Sequence, residues 1–120
     1  MKYTIEPDNN AGICMIHVSG INKRPDDSII LQNVVRDIRS KTGCRKFLFD
    51  MRQSVIIGST LDTLDTAMRP IIDGFERDFR IALVYTGNLE EHIFMEDVVV
   101  NRGYSLHIFT DIEDATLWLT

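Results

Sequence analysis

The sequence predicts one α/β domain over residues 1–120 with a mostly parallel sheet, and three observations carry that prediction. Residues 46–50 and 80–85 are short apolar runs rich in aromatic and branched side chains, and they lack the polar alternation of a half-wet strand, as strands covered on both faces do. Between such runs, apolar residues recur at helical spacing. Near the amino terminus, the turn formers Pro7, Asp8, Asn9 and Asn10 follow a short alternating stretch and mark a hairpin.

Residues 3–6 alternate like an edge strand, and the turn returns the chain into a second strand over residues 13–18. Ser19 and Gly20 close that strand, and residues 21–25 are expected as a loop. A helix begins at Asp26 or Asp27, either of which accepts a hydrogen bond from a free first-turn amide, and carries Ile30, Leu31, Val34, Val35 and Ile38 on one stripe until Gly43 stops it. The run at 46–50 is the third strand, with Asp50 at its carboxyl end. Ser59 or Thr60 caps a second helix, bent at Pro70, whose Leu61, Leu64, Met68, Ile71 and Ile72 share a face. Residues 80–85 form the fourth strand. Asn88 and Glu91 have capping-box spacing and open a third helix with Ile93, Phe94, Val98 and Val99, which ends at Asn101, Arg102 and Gly103. Residues 105–109 make the last strand. Thr110 and Glu113 cap a short helix with Ala115, Leu117, Trp118 and Leu119. The order is β-β-α-β-α-β-α-β-α: right-handed crossovers make the later strands parallel and leave the first as an antiparallel edge strand.

Composition narrows the function classes. Hydrophobic residues at 44% and charged residues at 26% support one packed core rather than disorder. A net charge of -5 with scattered cations argues against nucleic acid and anionic membrane surfaces as partners. Arg36, Arg39, Lys41, Arg45 and Lys46 form the densest basic stretch and read as a solvated helix end diluted by Asp37 and Asp50. Cys14 and Cys44 read as buried free thiols, and the amino terminus has no signal-peptide pattern, so a cytoplasmic address is expected. No apolar run approaches the ~18 residues of a membrane span.

No catalytic or metal constellation emerges, so the expectation is a non-enzymatic protein with no cofactor and no metal. His17 and His107 fall in strands, while His92 and Glu96 share a helix face without a further ligand, and His92 reads as solvated. Asp50, Arg52 and Ser59 converge at the edge of the third strand but lack a general base. Asp62, Asp65 and Asp73 read as the wet face of the second helix, and Trp118 as a core anchor.

Residues 49–60, Phe-Asp-Met-Arg-Gln-Ser-Val-Ile-Ile-Gly-Ser-Thr, resemble the strand, loop and helix start of anti-sigma-factor antagonist (STAS) domains, in which a strand-ending Asp precedes Asp-Ser-Ser or Asp-Ser-Thr at a helix amino terminus. The closing stretch, with Arg102-Gly103, Phe109, Ala115 and Trp118-Leu119, is similar to the SpoIIAA-like branch of that superfamily. The resemblance covers essentially the whole chain and implies a two-layer STAS/SpoIIAA-like fold, with a five-stranded sheet and a role in binding or regulation. It implies a phosphoacceptor or anion site at Ser59 and Thr60, although Gly58 stands where the family has an acid. A phosphate there would meet free helix amides, whereas the structural reading of Ser59 is a plain cap. Val55, Ile56 and Ile57, with Asp50, Arg52 and Gly58, make the candidate partner or ligand surface. The partner is then another protein or, by the likeness of SpoIIAA-like proteins to lipid-binding CRAL-TRIO folds, a small lipophilic ligand in an apolar pocket near Val55–Ile57. Equally, these three residues extend a strand. The first strand's open edge offers a surface for a homodimer.

Overall fold

Alternation along the second strand decides the architecture. Strand β1 (Lys2–Glu6) pairs antiparallel with β2 (Ile13–Lys23), which lies parallel to β3 (Lys46–Ile57). Strands β4 (Arg80–Val84) and β5 (Ser105–Phe109) continue the sheet in parallel, giving the order β1-β2-β3-β4-β5. The computed structural model describes residues 1–6, 11–73 and 75–120, so the turn expected at Pro7, Asp8, Asn9 and Asn10, and the side chains of Ile71 and Ile72, lie outside the described residues.

Because each parallel strand is the next neighbour in the same direction, right-handed crossovers place every connecting helix on one face. Helices α1 (Asp26–Thr42), α2 (Thr60–Ile72) and α3 (Glu90–Val100) accordingly form the layer there. They cover Cys14, Ile16, Val18, Phe47, Phe49, Met51, Leu83 and Ile108. The final helix α4 (Ile112–Leu119) follows no crossover and packs on the opposite face, where Ala115 and Leu119 meet Ile13, Leu48, Ala82 and Val84.

Both long strands outrun their expected ends. β2 was expected to stop at Val18 and β3 at Asp50, yet residues 19–23 and 53–57 pair as a ribbon, and the expected loop at 21–25 is mostly strand. The pairing of β3 with β4 stops at Asp50–Val84, so the ribbon projects past the rest of the sheet. Between the pairs His17–Asp50 and Ser19–Gln53, β3 fits one more residue than β2. This bulge switches the alternation of β3: Phe47, Phe49 and Met51 face the three-helix layer before it, and Ile56 does so after it. Val55 and Ile57 consequently point outward.

Helix ends differ from expectation in their details. α1 has no side-chain cap, because Asp27 instead accepts from the Lys23 amide at 2.7 Å. Its end is as expected: Gly43 adopts φ 75° and donates its amide to the Arg39 carbonyl. Ser59 caps α2 reciprocally, its Oγ accepting from Asp62 N at 3.1 Å while its own amide donates to Asp62 Oδ2 at 2.9 Å. Glu91 does not close a box on Asn88; it accepts from Thr60 Oγ1 at 2.9 Å and ties the starts of α2 and α3 together. Asp111 rather than Thr110 caps α4.

The expected helix faces also shift. Ile30 is exposed on α1. On α2, Leu61 and Leu64 are exposed and Thr63, Thr66 and Ala67 are buried; on α3, Ile93 and Phe94 are exposed and His92, Met95 and Val99 are buried. Trp118 is only partly buried, with the Arg80 guanidinium 4.5 Å above its ring. The basic stretch is neutralised by Asp37 and by a later segment, Arg39 meeting Asp78 at 2.6 Å and Arg45 meeting it at 3.4 Å, and not by Asp50.

Candidate functional site

The carboxyl ends of the parallel strands and the starts of α1, α2 and α3 meet at one edge of the sheet, where the crossover rule puts them. A polar cleft of about 500 Å³ opens there, lined by Ser54, Gly58, Thr63, Thr86, Asn88 and His92 among others. Beneath it, between the sheet and the three helices, lies an apolar cavity of about 120 Å³ walled by Leu31, Val35, Phe49, Ala67, Met95 and other core residues. Arg24, Met51, Ile56 and Tyr85 line both spaces.

Arg24 is the central charge of this edge. It follows the last residue of β2 and continues the inward alternation of Asn22, which leaves it only 4% exposed. Its Nη1 donates to Thr63 Oγ1 at 3.2 Å; its Nη2 donates to the Tyr85 hydroxyl at 3.3 Å and to His92 Nδ1 at 2.9 Å. The His92 ring stacks on Tyr85 with centroids 3.7 Å apart and 5° between the planes. Burial, seconded by the Arg24 charge, pushes the imidazole from the ordinary 6.5 down to about 4. The ring is therefore neutral at pH 7, and Nδ1 is free to accept. Burial raises the Tyr85 phenol, which keeps its proton as well. All three acceptors are thus uncharged, and among the described residues no carboxylate forms an ion pair with Arg24.

Asn22 stands two residues earlier on the same side of β2, 1% exposed. Its Nδ2 donates to Met1 Sδ at 3.4 Å, while its Oδ1 has no hydrogen-bond partner among the described residues. Asn22, Arg24, Thr63, Tyr85 and His92 all escaped the sequence reading, which took His92 as solvated. The available signal was parity: Cys14, Ile16 and Val18 face inward, and the same even count continues through Asn22 to Arg24.

The residues singled out from sequence are divided between places. Asp50 and Arg52 lie on the α4 face, Arg52 Nε and Nη2 donating to the two Asp50 oxygens at 2.9 and 3.0 Å. That bond holds the Asp50 carboxyl below its ordinary range. His17 bridges Asp50 and Glu6 at 3.5 and 3.3 Å. Asp50 is not at a strand end, and no hydrogen bond or ion pair joins Asp50 and Arg52 to Ser59, so the expected convergence is absent. Val55 (62% exposed) and Ile57 face outward, with Ile21 (58%) opposite Val55 in the ribbon and Leu61 (76%) in the first turn of α2. Ile56 alone of its trio reaches the cavity. Gly58 has φ 150°, and a Cβ there would stand 3.1 Å from Arg24 Cβ and 3.2 Å from Asp62 Cβ, so no acidic residue fits that position without displacing its neighbours. Ser59 and Thr60 are both engaged, in the α2 cap and with Glu91 respectively. No group of three metal-binding side chains occurs among the described residues, and no helix among them is long and apolar enough to cross a membrane.

The architecture is the SpoIIAA-like, or STAS, fold. An uncharacterised DUF3478-family protein with a SpoIIAA-like fold from Shewanella loihica PV-4 superposes with a TM-score of 0.58 at 18% identity, over 99% of this chain and 93% of that one. The unphosphorylated anti-sigma factor antagonist SpoIIAA gives 0.57 at 7% identity, over 97% and 94% of the two chains. An anti-sigma factor antagonist from Mycobacterium paratuberculosis gives 0.60 at 13% identity, over 98% and 94%. No protein-family model and no curated protein matches the sequence.

Proposed function

We propose that the protein is a non-catalytic regulatory module that docks a partner protein on the projecting β2–β3 ribbon and the start of α2. The observation that carries this reading is the run of exposed apolar side chains there, Ile21, Val55, Ile57 and Leu61, on a rigid hydrogen-bonded support. Two proteins of the same fold are named as anti-sigma factor antagonists, a role exercised on another protein. Ser59 lies between Ile57 and Leu61, where added negative charge would reach such a partner. Phosphorylation of Ser59 would have to displace the Asp62 carboxylate from its amide, which sets a cost on that form of control.

The test uses the natural partner isolated on immobilised protein. Val55→Asp and Leu61→Asp are each expected to weaken the complex at least about tenfold, as central apolar contacts do when charged. Ser59→Asp retains a capping side chain, so it should leave stability within about 0.5 kcal/mol while weakening the complex. Affinity unchanged in all three variants would remove the proposal.

A second reading, a binding protein for a small lipophilic ligand, is favoured by the apolar cavity under Ile56. An engineered cavity of about 150 Å³ in another protein admits benzene, so this one suits a molecule of similar girth. Toluene is expected to shift the methyl resonances of Met51 and Met95, which line the cavity. Resonances unmoved at saturation would dispose of this reading.

A further inference from the structure

Arg24 is a buried cation whose hydrogen-bond partners are all neutral. An arginine keeps its charge inside a protein, and a buried charge without a counterion costs several kcal/mol unless something offsets it. The helix dipoles do the reverse, since α1, α2 and α3 all start at this edge, and among the described residues the first-turn acids Asp26, Asp27, Asp62, Glu90 and Glu91 make no ion pair with the guanidinium. The chain nevertheless organises two helices around the guanidinium. Helix α2 turns Thr63 inward and leaves Leu61 and Leu64 in water; α3 turns His92 inward and leaves Ile93 and Phe94 outside. These choices provide neutral acceptors but no carboxylate, and Arg24 Nε has no acceptor among the described residues. A site that sacrifices apolar burial to hold an uncompensated cation over an apolar hole is complete only when an anion arrives.

We propose that Arg24 is the head-group residue of a site for a small apolar monocarboxylate, its carboxylate on the guanidinium and its tail in the cavity below. This deepens the ligand reading and rests on it. Arg24 lines both the polar cleft and the cavity, so one molecule can reach the guanidinium from the cleft and bury its other end. The volume of about 120 Å³ limits the buried part to a ring or a short branched chain. The single charge follows from the rim: Glu90 and Glu91 line the cleft, and a polyanion such as a phosphate ester would face both carboxylates. Both Nη2 hydrogens are committed to Tyr85 and His92, so a carboxylate would meet the remaining N–H groups singly and be held chiefly by charge.

The experiment compares phenylacetate, its neutral isostere phenylacetamide, and toluene, titrated into the intact protein with the Met51 and Met95 methyl resonances as readout. Phenylacetate is expected to bind at least about tenfold more tightly than the amide, the margin of a charge-assisted over a neutral hydrogen bond. Arg24→Gln is expected to bring acid and amide within about twofold of each other while toluene still binds. Equal affinity for acid and amide in the wild type, with toluene bound, overturns the carboxylate assignment and leaves the cavity reading standing. An acid preference that survives Arg24→Gln overturns the role of Arg24. Absence of toluene binding overturns both. Should Arg24→Gln fail to fold, the wild-type comparison decides the head group, and Arg24→Lys, which keeps the charge on fewer donors, should retain a reduced preference for the acid.

Discussion

Phe47→Ala is expected to lower the unfolding free energy by about 3–5 kcal/mol, the largest effect of any single truncation in this core. Phe47 is fully buried on β3, the central strand of the sheet, under the three-helix layer. Its ring centroid lies 5.8 Å from that of Phe79, which in turn lies 5.2 Å from Phe75. Truncation removes the transfer energy of the ring and leaves a hole beside the existing apolar cavity, which Phe75 and Phe79 also line. Urea unfolding reads the result as a lower midpoint at unchanged slope. Ile57→Ala, on the same strand but facing water, should change stability by less than about 0.5 kcal/mol. Equal costs at the two positions would show that β3 is not oriented as described.

The element order was legible because it depends on coarse features: two covered apolar runs, four helical stripes and the turn formers between them. Chirality then does the rest, since a sequential parallel sheet leaves α1, α2 and α3 only one face. What failed was local, and on β2, α2 and α3 it had a shared cause. The β2 strand looked finished at Val18 because its inward positions become Gly20, Asn22 and Arg24, which no apolar pattern marks. The stripes on α2 and α3 looked like Leu61 with Leu64 and Ile93 with Phe94 because apolar residues are assumed to face the core. On β2, α2 and α3 these errors fall where the chain turns Asn22, Arg24, Thr63 and His92 inside, and Arg24 bonds Thr63 and His92 directly.

The candidate site was less legible than the fold. Asp50 and Arg52 are near each other in sequence and bonded in space, and they satisfy one another on the α4 face, away from the cleft. Val55, Ile56 and Ile57 form one apolar word in sequence; strand alternation divides it between the outer surface and the cavity, and the bulge on β3 decides that Ile56 is the inward one. Gly58 departs from the pattern that Ser59 otherwise resembles because Arg24 Cβ and Asp62 Cβ occupy the space a side chain would need.

His92 makes the same edge a source of pH dependence. In the folded protein its imidazole titrates at about 4, against an ordinary 6.5, because burial removes water from the cation and Arg24 stands 2.9 Å away. The nearby Glu91 charge opposes this shift without cancelling it. The unfolded chain therefore binds the extra proton first, and stability is full above about 6.5, falls as the pH drops, and has lost its His92 share near 4. A shift of this size corresponds to at most about 3 kcal/mol. Asp50 and Asp62, whose carboxyls are held below their ordinary 3.8, add their losses from about pH 5 downward, so the interval above pH 5 reports His92 with least overlap. Urea unfolding from pH 7 to about 5 is expected to show a falling midpoint in the wild type and a flatter one in His92→Gln, whose side chain can still accept from Arg24 but cannot gain a charge. Parallel curves for the two proteins would mean that His92 is hydrated in the folded state, and the account of Arg24 as a cation held among neutral acceptors would go with it.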